Sequence, residues 1–145
     1  MAQTQPPRLL GLDPGDRRIG VAISDELGLT AQPLLTLRRT NRRNDLRSLA
    51  RIVRRYGCSA IVVGFPLHMS GAPGPRALAA KDFASALQSE LGVPVHLWDE
   101  RLSTAEAHRH LDAVARPSST RKTVIDQVAA VLILQSYMDA HRGLQ

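Results

Sequence analysis

The chain has 145 residues, 43% of them hydrophobic and 22% charged, which suits a single domain with room for a core. It contains no run of about 18 apolar residues to predict a membrane span. It opens on no secretory pattern, and its one cysteine, Cys58, excludes an intramolecular disulfide or a thiolate metal site. The net charge is +6, with 17 arginines among the 19 basic residues, so a polyanionic partner is expected, nucleic acid foremost, in a reducing cytoplasm.

Residues 1–7 read as a disordered leader, and the domain is expected over 8–141. Arg8 to Leu12 is a short apolar strand, with Asp13 at its end and turn chemistry in Pro14-Gly15-Asp16. Ile19, Val21 and Ile23 then alternate with Gly20, Ala22 and Ser24 as a second strand. The pair is a hairpin with a carboxylate at its tip. Asp before Pro-Gly is also an ordinary turn opener, so this stretch alone leaves Asp13 between a structural and a functional role. Gly15 and Gly20 allow close approach of backbone or ligand.

Leu29 to Leu37 is a third strand, and Pro33 makes it an edge strand or marks a bulge. Arg38 to Arg43 is a basic turn, and the stretch from Arg38 to Arg55 holds eight arginines. A helix is expected over Asn44 to Tyr56, capped by Asn44 and stopped by Gly57. Leu46, Leu49, Ala50, Val53 and Tyr56 form its apolar face. Arg47, Arg51, Arg54 and Arg55 form a stripe roughly opposite. A charged stripe is commonly just a solvated face. Four arginines with no acid among them bring a nucleic-acid contact level with that reading.

Ser59 to Gly64 is continuously apolar, as a parallel strand buried on both faces would be. The Pro- and Gly-rich loop of residues 65–75 follows its carboxyl end, where ligands bind in α/β sheets. His68 in this loop could touch substrate, although a lone loop histidine more often does nothing. Arg76 to Leu91 is a second amphipathic helix, and Val93 to Trp98 a fifth strand ending in Asp99, Glu100 and Arg101. Ser103 and Glu106 form a capping box for a following helix, which accounts for Glu106. Asp99 and Glu100 have no such local role. Phe65 and Trp98 suit packing at strand ends better than base stacking.

Residues 113–122 read as a flexible basic loop carrying Arg116, Arg121 and Lys122. A last helix is expected from about Thr123 to Ala140, apolar on most sides and therefore buried. Asp126 interrupts it, beside Ala129, Ala130 and Ile133. An early-helix aspartate is favoured by the helix dipole. A buried one costs several kcal/mol unless paired or bound to a cation.

The element order predicts an α/β fold: a mixed five-stranded sheet, order 3-2-1-4-5, with helices on both faces. In that order Asp13 and Glu100 converge on one sheet edge, and the last helix can bring Asp126 across it. Three carboxylates without thiolate or imidazole suit hard cations such as Mg²⁺ or Mn²⁺. Two such ions about 3.5–4 Å apart promote in-line phosphodiester hydrolysis. The arginines Arg47, Arg51, Arg54, Arg55, Arg101, Arg116 and Arg121, with Lys122, would then hold the phosphate backbone.

Four segments, LGLDPGDRRIGVAISD, VGFPLHMSG, DERLST and VIDQVAAVLILQSY, together resemble the motifs of the YqgF/RuvX family, from about Leu9 to Tyr137. The resemblance implies an RNase H-like fold and a nuclease, ascribed to 5′-end maturation of the small-subunit ribosomal RNA precursor or to Holliday junction resolution. It implies Asp13, Glu100 and Asp126 as the metal-binding catalytic acids, the same three that the residue reading reached. Ser70 stands where many members carry an acid, and Asp16 where Thr or Ser is frequent. A junction resolvase cuts two strands symmetrically and calls for a homodimer. A binding module without catalysis is a third reading. A sugar-kinase-like ATPase, suggested by Asp13-x-Gly15, needs two such domains, and 145 residues hold one.

Overall fold

The computed structural model describes residues 6–66, 73–102 and 119–142, and the side chains of 119–125 lie outside that description. Three antiparallel strands come first: β1 (Arg8–Pro14), β2 (Arg18–Ser24) and β3 (Ala31–Arg38). Helix α1 (Arg42–Tyr56) leads to β4 (Cys58–Phe65), and α2 (Pro75–Leu91) leads to β5 (Val95–Asp99). A 3₁₀ turn (Glu100–Leu102) follows, and α3 (Ser119–His141) is the last described helix. The sheet order is β3-β2-β1-β4-β5, with β4 parallel to both β1 and β5.

Strand alternation divides the core in two. Leu10, Leu12, Ile19, Val21, Ile61 and Val63 face α1 and α2, and close on Leu49, Phe83 and Leu87. Ala22 and Val62 face α3 and pack on Ala129, Ala130, Ile133 and Leu134. The α3 side of the three central strands is built from small residues. A Cβ on Gly11 would stand 2.7 Å from the Leu134 Cβ, well inside van der Waals contact. Close approach of α3 therefore depends on that glycine.

Pro33 has both roles expected of it. β3 is the outer strand, and its pairing with β2 shifts register between Val21↔Leu35 and Ala22↔Pro33. Outer strands and bulges are where a sheet tolerates a proline.

Two helix starts differ from the sequence expectation. Helix α1 begins at Arg42, because Asn41 and not Asn44 is the cap: the Asn41 side chain accepts from the Asn44 N–H at 2.9 Å. Ile52 belongs to its buried face, while Ala50 and Tyr56 are only partly covered. Helix α3 begins at Ser119, so Arg121 and Lys122 lie in a helix and not in a loop. The expected capping box at Ser103 and Glu106, most of the 65–75 loop with His68 and Ser70, and Arg116 all fall outside the described residues. Among the described residues no helix is long and apolar enough to cross a membrane.

Candidate active site

Asp13 is the penultimate residue of β1, and its backbone is flanked by two glycines. Gly20 of β2 is its direct partner in the antiparallel ladder. Gly64 of β4 follows Val63, which pairs with Leu12, so it lies beside Asp13 on the parallel side. Both glycines face α3. A Cβ on Gly20 would lie 1.9 Å from the Asp126 carbonyl oxygen and 2.4 Å from its carbon, so the α3 backbone rests directly on β2 there. A Cβ on Gly64 would lie 3.3 Å from Glu100 Oε1. The missing side chains of two glycines thus bring Asp126 and Glu100 in on either side of Asp13.

Asp13 is 5% exposed and Glu100 1% exposed. Carboxylates this deep are costly unless hydrogen-bonded, ion-paired or bound to a cation. Asp126 is more open, and Arg18, the first residue of β2, donates from Nε to its Oδ2 at 2.8 Å. In these conformations no three Asp, Glu, His or Cys side chains among the described residues form a group that would hold one ion. The backbone convergence is in place, and the carboxylate of Asp126 is turned toward Arg18.

Asp99, left without a local role by the sequence, has one. Its carboxylate accepts from the Arg101 backbone N–H at 2.9 Å, from Nε at 3.0 and 3.1 Å, and from Nη2 at 2.7 Å. The Arg101 guanidinium holds Asp99 below the ordinary carboxylate pKa, outweighing partial burial. Arg101, expected on nucleic acid, is therefore already engaged by its neighbour. Trp98 packs as expected: its Nε1 donates to Ser136 Oγ at 3.0 Å and its ring meets the Tyr137 ring edge-on.

The arginine stripe is exposed and runs away from Asp13. Arg47, Arg51, Arg54 and Arg55 project from α1, on the sheet face opposite α3. The helix starts beside the hairpin tip and ends where β4 begins, at the Arg8 end of β1. Arg54 and Arg55 occupy its last turn, where cations suit the helix dipole. Five residues of strand, about 17 Å at 3.3 Å per residue, separate that end from Asp13. The Arg55 guanidinium lies 5.8 Å from the Tyr56 ring centre. Arg47 lines a groove of about 600 Å³ between α1 and α2, with Arg42, Arg43 and Glu90.

Sequence reasoning missed Arg18. Nothing local marks it, because its partner lies 108 residues away. It also missed what the basic turn does. Arg39 donates from Nη1 to the Gly15 carbonyl at 2.8 Å and from its backbone N–H to the Arg17 carbonyl at 2.8 Å. Its Nε reaches Asp45 Oδ2 at 3.3 Å. Asp45 is 3% exposed and also accepts from the Thr40 N–H. The basic turn is thereby tied to the hairpin that carries Asp13.

A family model described as "RuvX: Holliday junction resolvase" matches residues 7–140. The chain belongs to the RuvX family. A Myxococcus xanthus protein is 51% identical over 135 residues, covering 93% of this chain and 89% of that protein. A Moorella thermoacetica protein is 52% identical over 132 residues, covering 91% and 94%. Both carry the name "Putative pre-16S rRNA nuclease". Among solved structures, Thermus thermophilus RuvC in complex with a Holliday junction substrate superposes with a TM-score of 0.60 at 16% identity, over 95% of this chain and 97% of that one. The fowlpox virus Holliday junction resolvase gives 0.52 at 15% identity, over 92% and 99%. At these identities the likeness is one of fold, and it is the RNase H-like fold of RuvC that this RuvX member shares.

Proposed function

We propose that this RuvX member is a divalent-metal-dependent nuclease that hydrolyses phosphodiester bonds in structured RNA, in 5′-end maturation of the 16S ribosomal RNA precursor in the cytoplasm. One observation carries the reading: Gly20 and Gly64 bring Asp126 and Glu100 onto the same sheet edge as Asp13. The names of relatives near 50% identity supply the substrate class. A single catalytic domain over 8–141 is sufficient, because all three acids lie in one sheet-and-helix unit.

The residues fit a hard cation. The donors are carboxylates alone, and a side chain at Gly64 would crowd the Glu100 carboxylate that the site needs. Asp13, Glu100 and Asp126 would hold two Mg²⁺ or Mn²⁺ ions after rotation of Asp126 toward its neighbours. Bound there, such ions supply an acidified water and charge stabilisation at the leaving oxygen. The chain itself does the rest. β1 and the turn after β5 hold two acids rigidly in the core. Arg18 holds the third by one oxygen, Oδ2.

The test is cleavage by the purified protein with Mg²⁺ or Mn²⁺. Substrates are an RNA spanning the 5′ end of the 16S precursor, single-stranded RNA and DNA, and a four-way DNA junction. RNA cutting that falls at least roughly 100-fold in Asp126→Asn is expected, the scale of losing one charge-stabilising group. Full activity in that variant overturns the assignment. The family description favours a second reading, junction resolution. Symmetric junction cutting by a two-fold dimer would select it.

A further inference from the structure

The hairpin tip and the basic turn form a second positively charged surface, distinct from the α1 stripe. A cleft of about 560 Å³ is lined by Arg17, Arg38, Arg39 and Arg42 together with Asp16 and Asp45. It adjoins a smaller one of about 130 Å³, which shares Asp16, Arg39 and Arg42 and adds Arg76 from the first turn of α2. The surface is built from prefixed parts. Arg39 laces the two turns together. Asp45 neutralises Arg39, and Asp82 pairs with Arg42. Arg17, Arg38 and Arg76 are exposed and make no ion pair with a described residue. Five guanidinium groups against Asp16, Asp45 and Asp82 leave two positive charges in excess on a surface beginning three residues from Asp13.

We infer that this surface binds the phosphate backbone of the nucleic-acid strand flanking the cleavage point, through Arg17, Arg38 and Arg76. The inference rests on the nuclease reading above and adds where the substrate runs: over the hairpin tip toward α2, and not along α1. Exposed guanidinium groups on pinned turns suit a polyanion read without regard to sequence. The rigid turns beneath them fix the direction in which the strand leaves the acids. The α1 stripe lacks that position, since its cations recede toward the far end of β1.

The experiment measures binding of a 5′-labelled 20-nucleotide RNA by fluorescence anisotropy in EDTA, across a salt series, alongside the cleavage assay. The variants are Arg17→Ala/Arg38→Ala/Arg76→Ala, its all-Lys counterpart, and Arg51→Ala/Arg54→Ala/Arg55→Ala. Removing three phosphate contacts should lower the slope of log K against log salt by about 2 and weaken binding roughly tenfold or more at 100 mM salt. The all-Lys variant should keep the slope, which shows that charge and not a misfolded turn is responsible. The α1 variant should lose less. Unchanged binding in the first variant, or equal loss in the α1 variant, overturns the inference while a cutting wild type leaves the nuclease reading intact. A wild type that neither binds nor cuts any nucleic acid overturns both.

Discussion

At the residue scale the decisive positions are glycines. The nearest atoms to a Cβ on Gly20 belong to backbone, at 1.9 and 2.4 Å, so no rotamer change relieves the clash. Gly20→Ala should therefore cost about 3 kcal/mol, at or above the usual range for overpacking, as a lower urea midpoint. It should also reduce cleavage, because α3 carries Asp126 away from Asp13 as it lifts. The Asp99–Arg101 pair gives a residue-scale prediction of the opposite kind. The folded-state pKa of Asp99 is depressed, so the pair's stabilisation is complete above the ordinary carboxylate pKa and fades as pH falls through the folded value. In Arg101→Ala an NMR titration should find Asp99 moved up toward the ordinary value, about 3.9. An unmoved titration would mean that Arg101 is not the cause.

At the scale of elements, much was legible in the sequence. The alternation of Ile19, Val21 and Ile23, the unbroken SAIVVG run and the apolar last helix each carry a periodicity that survives folding, and the strand order followed from them. Asp126 could be picked out because it interrupts such a pattern, and Asp13 and Glu100 because they stand where strands end. Cap geometry was less legible, since Asn41 and Asn44 are both good capping residues and only the backbone decides between them. Asn41→Ala should cost about 1 kcal/mol and Asn44→Ala less than about 0.5 kcal/mol in chemical denaturation. The start of α3 was missed because its first turn is polar and reads as a loop. The Arg18–Asp126 pair was beyond reach because it depends on how α3 is seated over β2, which no local pattern records. The direction of the α1 arginines was not legible for a related reason: periodicity shows that they share a face, and only the fold shows which way that face points.

At the scale of the whole molecule the acids lie in β1, in the turn after β5 and in α3, so anything that binds all three ties the sheet to its last helix. A ligand that binds the folded chain alone stabilises it by about 2.7 kcal/mol at a hundred times its dissociation constant. For a chain of this size that corresponds to roughly 5–10 °C in melting temperature. Saturating Mg²⁺ or Mn²⁺ should raise the melting temperature of the wild type by that order, EDTA should reverse the rise, and Asp13→Asn should abolish it. A rise that persists in Asp13→Asn would place the ions elsewhere.

The two outer strands of the sheet bear on a different property. β3 carries Pro33 at its register shift, and the Gln135 side chain of α3 accepts from the Ala31 N–H at 2.8 Å. β5, at the other margin, is only five residues long. An incoming chain that tried to add itself as a sixth strand would meet a proline and a register shift on one side and too short a ladder on the other. Sheet-to-sheet aggregation is thus discouraged at both margins, which favours solubility when the protein is abundant or briefly crowded.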